Sequence, residues 1–162
     1  HKWFEQIEWL DDGRPSNKQL LVAARTLPPM TLDPAKVLPE FFAMLDQPAI
    51  NAALRRDQSP HRELTPRVLR EHPFACRFER TLISGIIDRL VLWLSGDRIV
   101  AAEIVDFKTD VIADGASLDA RVAGYRSQLE SYRRAVAQLF GLAEDRVAAK
   151  LLFVQTAELI EI

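Results

Sequence analysis

Cysteine is nearly absent: Cys76 is the only one in 162 residues. That excludes a disulfide framework, and it excludes a zinc or iron–sulfur site built from four cysteines. A reducing cytoplasm fits such usage. No apolar run approaches the roughly 20 residues that cross a bilayer, and no signal peptide is visible. An excess of either charge is lacking as well. The formal net charge is -2, so the chain is not a generically basic coat for nucleic acid, and any such contact has to come from a local patch. There is no internal repeat and no low-complexity tract. No G-x-x-x-x-G-K-[ST] occurs, which excludes a nucleotide-driven motor from this stretch. The chain also opens without Met, inside an apparent helix, as a segment cut from a longer polypeptide would.

What is present is an ordinary globular composition, 48% hydrophobic and 27% charged, of a length that suits one domain with one core. Residues 1–56 read as a helical segment. Trp3, Phe4, Ile7 and Leu10 stand at helical spacing, and Gly13 and Pro15 stop that run. "NKQLLVAARTL" is a second helix, broken by Pro28 and Pro29. In "DPAKVLPEFFAMLDQ", Asp33 is the N-cap and Pro34 takes the first helical position, with Pro39 disturbing the middle. "PAINAALRR" is a short fourth helix, and residues 57–66 read as a loop. From residue 67 to 162 the period changes to that of strands. "SGIIDRLVLWL" and "RIVAAEIVDFK" form a hairpin through Ser-Gly-Asp. "SLDARVAGYRSQLESYRRAVAQLFG" is a long amphipathic helix whose apolar stripe is Val122, Leu129, Val136, Leu139 and Phe140, stopped by Gly141. "RVAAKLLFVQT" is a further strand and "ELIEI" a last one. Helices, a three-strand meander, a helix and a strand make an α/β layout with a mixed sheet.

The anomaly lies in "AEIVDFKTD". An apolar strand ends in Asp106 and Lys108, which share a face because alternate strand residues do, with Cα atoms about 6–7 Å apart. The preceding strand sets another acid, Asp88, among Ile86, Ile87, Leu90 and Val91. A short hairpin can bring the acids to one level. Charges are seldom buried without partners, and two carboxylates brought together need a proton or a cation between them. A hard divalent cation with oxygen ligands, magnesium or manganese, is the simplest resolution. Asp88 with Arg89, or Asp106 with Lys108, could instead be ordinary ion pairs at strand ends. Two acids and a lysine together, in strands otherwise so apolar, favour a site. On the long helix, Tyr125, Gln128 and Tyr132 share one face. Their polar tips could hydrogen-bond phosphate or a metal-bound water, or the tyrosines could pack at the core edge. Arg121, Arg126, Arg133 and Arg134 make that helix basic, which suits phosphate contact.

"GIIDRL", then "EIVDFKTD", then "YRSQLESY" resemble the PD-(D/E)XK nuclease superfamily. More closely, they resemble the RecB/AddA-type nuclease domain found at the C-terminus of bacterial helicase–nucleases with a UvrD/Rep-like helicase. The resemblance covers most of the chain, with its specific motifs between residues 85 and 132; Ile87 stands where many members have proline. It implies a restriction-endonuclease-like α/β core and metal-dependent hydrolysis of DNA phosphodiesters, more as an exonuclease than an endonuclease, in double-strand-break processing and recombinational repair. It implies Mg2+ or Mn2+ held by Asp88, Asp106, the Phe107 backbone carbonyl and His1, with Lys108 beside the attacking water. Gln128 and Tyr132 match the family's Q-x-x-x-Y, with Tyr125, Arg121, Arg126 and Arg133 toward DNA. The implied partners are single-stranded DNA ends, a helicase domain in the same polypeptide and a second helicase–nuclease subunit. The lone Cys76 argues against the branch of stand-alone phage or CRISPR-type exonucleases with an iron–sulfur cluster. An inactivated module kept for DNA binding or scaffolding would be expected to have lost an acid or the lysine. Glu71 and Glu79 are weaker candidates for an extra acid, each read more readily as a surface pair with a neighbouring arginine. Glu103, at an odd offset from Asp106, faces the other side of its strand. His61 and His72 match nothing.

Overall fold

The computed structural model describes residues 1–27, 33–109 and 118–162. Pro28, Pro29 and Asp110 lie outside them. The elements are α1 (Asn17–Ala24), α2 (Pro34–Leu45), α3 (Pro48–Ala53), β1 (Thr65–Phe78), β2 (Thr81–Ser95), β3 (Arg98–Lys108), α4 (Leu118–Phe140), β4 (Val147–Phe153) and β5 (Glu158–Glu161). The strands form one five-stranded sheet in the order β1-β2-β3-β4-β5. The first three strands are an antiparallel meander, β4 runs parallel to β3, and β5 returns antiparallel. A parallel neighbour requires a crossover, and α4 lies within it. Gly96, at φ 60°, makes the β2–β3 turn, where the ladder closes on Ser95 and Arg98.

Two layers cover the sheet. Leu129, Tyr132, Ala135 and Val136 of α4 pack on Leu90, Leu92, Ala102, Ile104, Ala149, Leu151 and Phe153. On the opposite face, Phe4, Ile7, Leu20, Leu45, Ile50 and Leu54 pack on Val105, Phe107, Leu152 and Val154. Along β3 the alternation is therefore strict: Ala102, Ile104 and Asp106 face α4, while Val105 and Phe107 face the helical segment. The Ser16 side chain caps α1 with a full capping box, and Asp33 caps α2 ahead of Pro34. Pro39 does not break α2, because Leu38, Phe41 and Leu45 anchor both sides of it in the core. Among the described residues, no helix is long and apolar enough to cross a membrane.

Two expectations are corrected. The first ten residues are not a helix but an arm with short 3-10 turns at Phe4–Gln6 and Leu10–Asp12. Their apolar spacing serves two surfaces: Phe4 and Ile7 join the segment core, and Trp9 packs on Trp93. The carbonyls of Ile7 and Glu8, which a helix would use internally, accept hydrogen bonds from Arg89 instead. Leu139 does not belong to the buried stripe of α4. It is 45% exposed, and Ala135 and Ala137 are buried in its place, where close approach to the sheet favours small side chains.

Candidate metal centre

The alternation of β2 slips where the site forms. Ile87 and Leu90 both face α4 although they are an odd number of residues apart, and Arg89 is sent to the opposite face. The β2–β3 ladder stops at Arg89–Val105; one further step in that register would set Asp88 against Asp106. The Asp88 carboxylate replaces the missing rung: its Oδ2 accepts from the Phe107 N–H at 2.8 Å. The N–H and C=O of one strand residue point to the same side. The Phe107 carbonyl therefore opens toward Asp88, while the Lys108 carbonyl, on the β4 side, accepts from Val154.

The N-terminal arm completes the cluster. His1 Nε2 lies 3.0 Å from Asp88 Oδ2, and its ring stands edge-on to Phe107. His1 Nδ1 is 3.9 Å from one oxygen each of Glu5 and Glu71. Glu71 reaches this place by unusual backbone. Its φ is 49°, a left-handed conformation uncommon for a residue with a side chain. The β1–β2 ladder skips it between Arg70–Arg89 and His72–Ile87, which leaves it across from Asp88. Among the described residues, Glu71 faces His1 and not the arginine expected for it. Glu79 does lie in an exposed turn, where its carbonyl accepts from Arg77. Glu5 was not singled out from the sequence, although its i+4 spacing from His1 was there to be read.

Asp106 is 4% exposed. Burial pushes its carboxyl above the usual range, against the opposing effect of Lys108. Lys108 Nζ stands 2.5 Å from Asp106 Oδ2 and 3.9 Å from the centre of the Tyr125 ring, a cation–π contact. The ion contact is not aligned as a hydrogen bond, and Asp106 Oδ2 has no hydrogen-bond partner among the described residues. The same holds for Glu71 Oε1. Asp88 holds the His1 imidazolium above its ordinary 6.5 through their hydrogen bond, against partial burial. Glu71 is raised by burial first, then by repulsion from Glu5.

This donor set fits a divalent cation. Carboxylates, a backbone carbonyl and one imidazole suit magnesium or manganese. Among the described residues, Glu71 Oε1 is buried without a hydrogen bond that would satisfy it, while Asp106 Oδ2 has only the Lys108 ammonium against it. His1, Glu5 and Glu71 can each offer an atom within 4.8 Å of the others.

The structure does not gather every residue expected at the site. Tyr132 is buried, its ring edge-on to Phe74, and its hydroxyl accepts from Gln128 Nε2 at 3.0 Å. Neither side chain hydrogen-bonds Asp88, Asp106 or Lys108 among the described residues. The hydroxyl is received by Gly85, where a Cβ would come within 2.7 Å of it. Tyr125 reaches the site, through Lys108. Arg126 and Arg134 are exposed and Arg121 is half-buried. Arg133 is drawn away: its guanidinium donates to the carbonyl of Ile162, about 12 Å along the helix from Tyr125. Glu103 lies on the face opposite Asp106, paired with Lys150 at 2.6 Å. His61 packs on Trp93, and His72 occupies a ladder position on β1.

A mixed sheet between helices, with two acids and a lysine where the β2–β3 ladder runs out, is the frame of a restriction-endonuclease-like fold. The chain matches the PD-(D/E)XK nuclease superfamily over residues 1–161 and belongs to it. That membership indicates a metal-dependent nuclease and DNA as substrate; such nucleases generally use divalent ions such as Mg2+. No curated protein matches the chain.

Proposed function

We propose that the chain is a Mg2+- or Mn2+-dependent deoxyribonuclease that hydrolyses phosphodiesters at the cluster on β2 and β3. The observation that carries this reading is the Asp88 carboxylate accepting from the N–H of Phe107, the residue between Asp106 and Lys108, with Lys108 Nζ 2.5 Å from Asp106 Oδ2. Asp88, Asp106, the Phe107 carbonyl and His1 would hold the ion, with Glu71 and Glu5 behind His1. When bound, the ion neutralises phosphate charge and lowers the pKa of its water. Lys108, fixed between Asp106 and the Tyr125 ring, would stabilise negative charge developing on the phosphate or orient the nucleophile. Asp88 would orient His1 through their direct contact. Arg121 and Arg126 would steer the DNA backbone; Gln128 and Tyr132 would act by seating α4.

In the same reading, residues 1–162 form one nuclease domain of a RecB/AddA-type helicase–nuclease. It would trim single-stranded ends as an exonuclease during double-strand-break processing, in the cytoplasm, beside a helicase domain of the same polypeptide and a second subunit. The test is cleavage of labelled single-stranded and duplex DNA with magnesium, manganese or chelator, beside Lys108→Ala. Cleavage that requires the metal and is lost in the variant is the expected result, and fragment sizes separate exonuclease from endonuclease action. A fully active Lys108→Ala would refute the assignment.

A further inference from the structure

Asp88 and Arg89 are neighbours on β2 that leave it in different directions. Asp88 turns into the cluster, while Arg89 passes through the opposite face and is 1% exposed. Its Nη1 donates to the Ile7 carbonyl at 3.1 Å and its Nη2 to the Glu8 carbonyl at 2.6 Å. The guanidinium carbon sits 4.7 Å from the centre of the Trp9 ring. One side chain therefore grips three successive residues of the arm. From Ile7 back to His1 the arm is a hydrogen-bonded turn, with Phe4 N to His1 O at 2.8 Å, Gln6 N to Trp3 O at 3.1 Å and Ile7 N to Phe4 O at 3.1 Å. A hold on Ile7 and Glu8 is thereby a hold on Glu5 and His1.

A buried charge is an expensive way to fill this space. Arg89 makes no ion pair among the described residues, and its Nε has no hydrogen-bond partner. An apolar side chain of similar volume would bury as well or better. A planar fork offers two donors at a fixed angle, matched here to adjacent carbonyls, and a lysine cannot supply that. We propose that Arg89 is the positioning residue of the metal centre: it locks the arm so that His1 and Glu5 stand opposite Asp88 and Glu71. The inference rests on the reading of this cluster as a metal site.

The experiment is a calorimetric Mn2+ titration of the wild type, Arg89→Met, Arg89→Lys, a variant carrying His1→Ala with Glu5→Ala, and the triple variant adding Arg89→Met. Hydrogen exchange of residues 2–9 is followed in parallel, without metal. Arg89→Met is expected to keep the sheet protected, to release the arm amides, and to weaken Mn2+ binding about tenfold or more, the usual cost of losing a group that orients a ligand. On the background lacking His1 and Glu5 side chains, the same change is expected to cost nothing further. Should Arg89→Met fail to fold, Arg89→Lys carries the same comparison, with a smaller loss. Wild-type Mn2+ affinity in a folded Arg89 variant would overturn the proposal. So would a loss that persists undiminished on the His1, Glu5 background, because Arg89 would then not act through the arm. A wild type that binds Mn2+ yet cleaves no DNA would refute the nuclease reading alone.

Discussion

Gly85→Ala adds one methyl group where α4 leans on the β1–β2 hairpin. The new Cβ would lie 2.7 Å from the Tyr132 hydroxyl, and 3.1 Å from both Phe74 Cε1 and Tyr132 Cε1. The tyrosine cannot swing aside freely, because its ring is buried edge-on against Phe74 and its hydroxyl is tied to Gln128. Overpacking of this kind costs roughly 1–3 kcal/mol. The backbone tolerates alanine, since φ at Gly85 is not in the left-handed region, so the stiffer unfolded chain returns roughly 0.4–1 kcal/mol. Mid-range values leave a net loss of about 1.3 kcal/mol, or roughly 3–5 °C in melting temperature for a chain of this size. Tyr132→Phe removes the nearest atom, so the pair Gly85→Ala with Tyr132→Phe is expected to melt above the value that adding the single losses gives. Thermal melts of the four proteins decide it. A Gly85→Ala protein as stable as wild type, or strict additivity in the pair, would refute the argument that Tyr132 is seated by the missing side chain.

Leu129→Ala should cost about 2–5 kcal/mol, because Leu129 is fully buried, whereas Leu139→Ala on the same helix should stay within about 0.5 kcal/mol; urea melts of both test which stripe faces the sheet. Asp106→Ala should leave the fold and abolish DNA cleavage, read by gel assay beside circular dichroism; retained cleavage would remove Asp106 from the site. The raised proton affinity of His1 stabilises the metal-free fold. That contribution is fully present below about pH 6.5 and is lost as pH rises through the higher folded-state value. The melting-temperature gap between wild type and His1→Gln, measured without metal, should therefore narrow as pH increases, and a gap that widens would contradict the His1–Asp88 contact. The same proton competes with the ion, so Mn2+ affinity should rise over that pH range.

The catalytic-looking strands were legible because their signals are local. Two acids and a lysine interrupt apolar runs in Asp88, Asp106 and Lys108, and a two-residue turn fixes which strands are neighbours. Helix α4 and the strand β4 followed from periodicity, and the mixed character of the sheet from the order of the elements. What escaped depends on tertiary context. The arm has helical spacing, but Phe4 and Trp9 answer to different surfaces of the sheet. Glu71 enters the cluster through a left-handed backbone that nothing in "REHPF" announces. Tyr132 shares a helical face with Tyr125, yet Gly85 draws one inward while Lys108 holds the other at the site. Arg133 reads like its neighbours Arg126 and Arg134, and only the arrival of the last strand engages it.

The cluster draws its groups from the start of the chain and from three consecutive strands, and this has a consequence for the order of folding. The β2–β3 hairpin is a local event. The β3–β4 pair must wait until the long crossover closes, and the arm has to return over a still greater contour length to meet β2. Contacts between distant parts of the chain are paid for in closure entropy and form late. A molecule whose sheet is complete but whose arm is still adrift would have regular secondary structure and no working centre. On the proposed reading, docking of the arm would then complete both the fold and the ion site. The ion, by favouring only the finished molecule, would act as a proofreader of its own host's maturation.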